Sequence, residues 1–196
     1  MDLHWGVTMS SNIVKEILTT KGVNSKVMDY SKGVQKYKTI GHIGLFDFDG
    51  VKKSLVLEET KDLPGISVLF ESSEGSFHIY NLCVRDAKET AILGLNLHCD
   101  CKHISHGYKM GKWVLRLAPK WNGDKPYKPA PKYCLSWFNE TELPQSKAHW
   151  SLIRAIVPQL RNKYIPACRY MWCGVAAQTE EYMTVTDQMK GVINNG

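Results

Sequence analysis

The chain has no apolar run long enough to cross a bilayer, which excludes a membrane-spanning helix. Its first residues, MDLHWGVTMSS, lack the basic-then-apolar pattern of a signal peptide, so a soluble, cytoplasmic protein is expected. The two-residue gap of a zinc knuckle is missing as well. With no secretory signal, the six cysteines read as buried or reduced thiols rather than a disulfide framework. No internal repeat is present, which argues against a solenoid. Nor is there a strong charge of either sign: a formal +6 and a pI near 8.9 admit an anionic partner, but equally an ordinary lysine-rich surface.

What is present is the composition of a globular domain. At 196 residues and 43% hydrophobic, the chain can bury a core without covalent staples, and it reads as one domain. Asn12 to Thr20 has helical spacing and ends near Gly22. "YKTIGHIGLFDFD" reads as a strand, "VKKSLVLEETKDL" as a helix closed by Pro64-Gly65, and "ISVLFESSEGSFHIYNLCV" as a hairpin around Ser72 to Gly75. Asp86 and Glu89 spell a capping box that opens another helix. A polar loop and a strand from Trp113 to Leu117 follow. The alternation predicts an α+β fold with a mostly antiparallel sheet flanked by helices. Residues 121 to 132, rich in proline, lysine and glycine, read as an exposed loop. "KAHWSLIRAIVPQLRNKY" is an amphipathic helix interrupted at Pro158. A catalytic core of about 38–120 with a helical extension over about 121–196 is the economical description.

Chemistry concentrates in two short stretches. In "LFDFDG", strand alternation places Asp47 and Asp49 on one face and Phe46 and Phe48 on the other. Two carboxylates so close repel and raise each other's pKa unless a cation neutralises them, and an all-oxygen pair suits Mg²⁺, Mn²⁺ or Ca²⁺ rather than zinc. In "SFHIY", Ser76 and His78 share a face beside a glycine turn and can bind phosphate oxygens. Asp100 offers a third carboxylate, with Asp86 and Asp124 as alternatives, and "VLRLAPK" supplies Arg116 and Lys120. Acids for metal, donors for phosphate and nearby cations make an inventory for phosphoryl transfer.

The ordered set of Asp-x-Asp in "FDFD", Ser-x-His in "SFH" and a single Asp before a basic strand resembles the archaeo-eukaryotic primase superfamily. It is most similar to the small primase-polymerases of archaeal viruses and plasmids, over roughly Ile40 to Lys120. The resemblance implies an RRM-like catalytic core and template-dependent nucleotidyl transfer. It implies two divalent ions held by Asp47, Asp49 and Asp100. Ser76, His78, Arg116 and Lys120 would contact the incoming nucleotide. The partners it implies are nucleoside triphosphates, a single-stranded DNA template, and a helicase or second primase subunit.

Other classes compete for the same residues. "FDFDGV" also opens the haloacid-dehalogenase phosphatases, but these require a doubly wound parallel sheet and a late acidic pair, and the chain has no Asp-Asp dipeptide. "HCDCKHISH" gathers His98, Cys99, Cys101, His103 and His106, with Cys134, Cys168 or Cys173 as distant ligands for a structural Zn²⁺. The one-residue gap between Cys99 and Cys101 argues instead for two buried thiols. A non-catalytic single-stranded nucleic-acid-binding module would use Trp121, Tyr127 and Tyr133 to stack on bases, while Lys120, Lys125, Lys128 and Lys132 follow the backbone. Such a module would have no need of Asp47 and Asp49.

Overall fold

The structure, a computed structural model, describes residues 18–19, 22–29, 38–122, 125–161 and 170–171. Its centre is a twelve-residue strand, β4 (Lys38–Asp49), preceded by three short strands, β1 (Leu18–Thr19), β2 (Gly22–Asn24) and β3 (Lys26–Asp29). The helix expected over residues 12 to 20 lies outside the described residues up to 17, and Leu18–Thr19 is a strand rather than helix. Ile43 and Leu45 on one side of β4 and Phe46 and Phe48 on the other are all at most 2% exposed, the signature of an interior strand.

After β4 come helix α1 (Lys53–Thr60) and a hairpin of β5 (Gly65–Ser73) and β6 (Ser76–Arg85). Ser73 pairs with Ser76 across the Glu74–Gly75 connection, and Gly75 adopts φ +68°, which a side chain would strain. The central sheet runs β3-β4-β6-β5 and is closed by β10 (Lys132–Asn139), with every neighbour antiparallel. This is the antiparallel α+β fold expected, and not the parallel sheet that the phosphatase reading requires.

Helix α2 (Ala87–Asn96) opens with the expected capping box: Glu89 N–H donates to Asp86 Oδ1 at 2.7 Å, and Asp86 N–H to Glu89 Oε2 at 3.3 Å. It covers the Phe46 face so closely that a Cβ on Gly94 would lie 3.4 Å from the Phe46 ring and 2.4 Å from Ile104 Cδ1. Phe46 is fully buried here, and truncating it to alanine would cost about 3–5 kcal/mol.

The polar loop expected after Asp100 is instead helix α3 (Cys101–Met110), capped by Asp100 and ended at Gly111 with φ +64°. Its buried positions, Ile104 and Gly107, are a turn apart on one face of a segment that is otherwise mostly polar. Gly107 packs against the Trp113 indole, where a Cβ would overlap the ring.

Beyond α3, β7 (Val114–Leu115) pairs with β2, which pairs with β1. The expected loop over 121 to 132 contains a hairpin, β8 (Lys120–Asn122) and β9 (Lys125–Lys128), set off from the main sheet. Prolines suggest a loop, yet Pro126 is tolerated because a two-stranded ribbon is all edge. Since β3 and β10 complete the sheet, the folded core reaches beyond residues 38 and 120 on both sides. Strand β11 (Gln145–Ser146) pairs antiparallel with β6, Gln145 opposite Cys83, and in parallel with β12 (Tyr170–Met171). Helix α4 (Lys147–Ile156) stops before a 3-10 turn at Pro158–Leu160, as the proline predicts. Among the described residues no helix is long and apolar enough to cross a membrane.

Candidate metal and nucleotide site

Cross-strand register builds the site. Asp47 stands opposite His78 and Asp49 opposite Ser76, so all four side chains share one face of the sheet. The third acid arrives from another element. The N–H of Asp100 donates to the Asp47 carbonyl at 2.8 Å, and His103, one turn into α3, bonds through Nε2 to the Leu45 carbonyl at 3.0 Å. These two anchors pin the first turn of α3 against β4. As a result one ligand oxygen from each of Asp47, Asp49 and Asp100 lies within 4.8 Å of the others. The Asp100 carboxylate also accepts from Lys102 N–H at 2.9 Å, at the positive end of the helix, where negative charge is stabilised.

Asp47 bears the electrostatic consequence. Burial, then the charges of Asp49 and Asp100, push its carboxyl up to about 7, against the opposing pull of Lys128 and the Phe48 backbone. Its Oδ1 is buried without a hydrogen-bond partner and lies 3.5 Å from His78 Nε2. Burial, with the Arg116 charge behind it, lowers His78 to about 4, so the ring is neutral at pH 7. An unsatisfied buried carboxylate oxygen beside two more carboxylates is the donor chemistry of a hard divalent cation. The residues present therefore fit Mg²⁺ or Mn²⁺.

Asp47, Asp49 and His78 open onto a cavity of about 1140 Å³. One wall is α3, whose His103, His106, Gly107 and Met110 fall at helical spacing along a single face. The β8–β9 hairpin also lines it, bringing Lys120, Tyr127 and Lys128. Arg116 holds that hairpin: its guanidinium donates to the carbonyls of Ala118 and Pro129, which flank the hairpin, and to Ser72 of β5 at 2.9 Å. Tyr80, fully buried, donates its hydroxyl to the Arg116 carbonyl at 3.1 Å.

The residues expected from sequence are distributed as follows. Asp47, Asp49, Asp100 and His78 come together, Lys120 lines the same cavity, and Asp86 is occupied as the cap of α2. Ser76 shares their face, but a bulge between Glu71 and Ser73 turns Ser72 and Ser73 into the cavity wall in its place. Arg116 reaches the cavity with its donors already engaged by backbone carbonyls. Tyr133 packs edge-on against Phe70 at 6.2 Å rather than standing free to stack on a base. Asp124, Cys168 and Cys173 lie outside the described residues, as do the side chains of Trp121 and Lys125.

The zinc constellation is dispersed. Cys99 is buried, Cys101 is exposed, and His98 bonds to Glu59 at 3.0 Å. Among the described residues the acid triad is the one group of three or more metal-binding side chains this close together. Sequence reasoning did not single out Lys112, and it assigned His103 and His106 to a zinc site and Lys128 to a nucleic-acid backbone rather than to one cavity with the acids; the signal was the 103, 106, 107, 110 spacing, within a segment expected to be a loop. The chain matches no protein-family profile, no curated protein and no solved structure.

Proposed function

We propose that the chain is a metal-dependent nucleotidyltransferase of the primase-polymerase kind, extending or initiating a strand on a single-stranded DNA template. The observation that carries this reading is the convergence of the Asp47, Asp49 and Asp100 oxygens within 4.8 Å, beside a cavity that Asp47 and Asp49 line together with the cations of Lys112, Arg116, Lys120 and Lys128. Bound Mg²⁺ or Mn²⁺ would supply Lewis-acid stabilisation of the attacking hydroxyl and of the departing pyrophosphate. The three aspartates would hold it. Lys112, Lys120 and Lys128 line the space a triphosphate would fill and neutralise its charge. His78, kept neutral, orients a phosphate oxygen by donating a hydrogen bond without repelling the cation beside it.

The test is incorporation of labelled nucleotide on single-stranded template with Mn²⁺, for wild type, Asp47→Ala, Asp49→Ala and Asp100→Ala. Each substitution should abolish transfer and remove the metal-induced rise in Tm, while circular dichroism stays unchanged. Near wild-type incorporation by any of the three would overturn the assignment.

A further inference from the structure

Single exposed apolar side chains are ordinary on protein surfaces and call for no ligand. Nine large apolar side chains are more than a third exposed among the described residues, and only Met110 and Tyr127 of these line the cavity. They arrive from different elements, Met110 from the last turn of α3 and Tyr127 from β9 beside Lys128. They are also among the most exposed of the nine, at 55% and 58%. Every other side chain on which the nucleotide reading rests is a carboxylate, an imidazole or an ammonium. One cavity thus offers charge complementary to a metal-bound triphosphate together with two large apolar side chains that are more than half exposed.

We propose, resting on the nucleotide reading above, that Met110 and Tyr127 form the subsite for the base of the incoming nucleotide. A phenol ring stacks on the face of a purine or pyrimidine, and a thioether adapts to whatever flat surface is opposite it. Every base has such a face. Neither side chain presents the paired donors and acceptors that read a base edge. The subsite therefore holds all bases nearly alike and leaves selection to the template. Because Arg116 holds the hairpin by carbonyls on both of its flanks, Tyr127 is carried on a braced element rather than a free loop.

The experiment titrates ATP, CTP and inorganic tripolyphosphate, each with Mn²⁺, and separately single-stranded DNA without nucleotide. The proteins are wild type, Met110→Ala, Tyr127→Ala and Tyr127→Phe. Both side chains are exposed, so the substitutions leave the core intact. Tyr127→Ala should weaken ATP and CTP on the order of ten-fold, Met110→Ala should weaken them less, and Tyr127→Phe should match wild type. Tripolyphosphate and DNA affinities should be unchanged throughout. Equal losses for ATP and tripolyphosphate in Tyr127→Ala, no loss for either, or a loss confined to DNA, would each overturn the subsite. Failure of wild type to bind tripolyphosphate with Mn²⁺ would instead overturn the nucleotidyltransferase reading, and a Tyr127-dependent ATP affinity in that case would leave the base subsite standing.

Discussion

The backbone N–H of Asp100 and the carbonyl oxygen of Asp47 are joined across 2.8 Å, and this bond places a third carboxylate beside two that already repel each other. A side chain alone could swing away from like charge. A main-chain bond, supported by His103 on the Leu45 carbonyl, does not allow the backbone beneath it to leave. Repulsion in the metal-free site is therefore imposed by the fold, and a divalent cation relieves it.

Arg116 should prove more important for holding the hairpin than for touching nucleotide. Arg116→Lys keeps the charge but loses the planar fork that spans the carbonyls of Ser72, Ala118 and Pro129. Hydrogen bonds from a charged donor contribute about 1.5–3 kcal/mol each, so a stability loss of roughly 2–4 kcal/mol is expected after partial rescue by the ammonium. Thermal unfolding and limited proteolysis within residues 118–129 measure it. Wild-type Tm and an uncut hairpin would mean that other contacts hold β8 and β9.

His78→Ala should lower nucleotide affinity and turnover, the latter on the order of 10²-fold, as loss of one aligned donor does. Template affinity should hardly change, because His78 stands opposite Asp47 on the sheet face, among the acids assigned to the metal-bound triphosphate. Paired titrations with labelled nucleotide plus Mn²⁺ and with labelled single-stranded DNA separate the two. Loss of DNA binding with nucleotide binding retained would reverse the assigned orientation of the cavity.

Acid should destabilise the protein through its buried histidines. His149, fully buried, bonds Ser146 Oγ at 2.6 Å and the Asn24 carbonyl at 2.7 Å, and burial lowers it to about 4, with the His42 charge adding and the Asn24 carbonyl opposing. Burial and then Lys26 lower His42 to about 4 as well. The unfolded chain takes up these protons first as pH falls. The stabilisation is therefore complete above pH 6.5 and is lost towards pH 4, at most about 3 kcal/mol per ring. Asp47 acts oppositely: its raised pKa makes the metal-free fold gain stability as pH falls from about 7 towards 3.8. Urea unfolding in chelator across this range should show a net loss for wild type. The loss should steepen in Asp47→Asn and flatten in His149→Gln. An unchanged slope in both variants would contradict these assignments.

Local chemistry made part of this protein legible in its residue order. Strand alternation put Asp47 with Asp49 and Ser76 with His78, Asp86 and Glu89 announced a helix start, and Pro158 announced a helix end, because each signal involves residues only a few positions apart. The bonds that complete the site join partners distant in sequence: Asp100 to Asp47, His103 to Leu45, Arg116 to Ser72. No spacing rule reports these, since they depend on which faces the core buries. The same is true of β10, whose pairing with β5 is decided by sheet closure, and of the docking of α3, whose Gly107 packs on Trp113 and whose Ile104 carbonyl accepts from the Trp113 indole N–H. Residue order determined which chemical groups the chain carries and which way each faces along its own element; tertiary packing decided which of them meet, because register between distant segments is set by the burial of the whole core and not by any one segment's period.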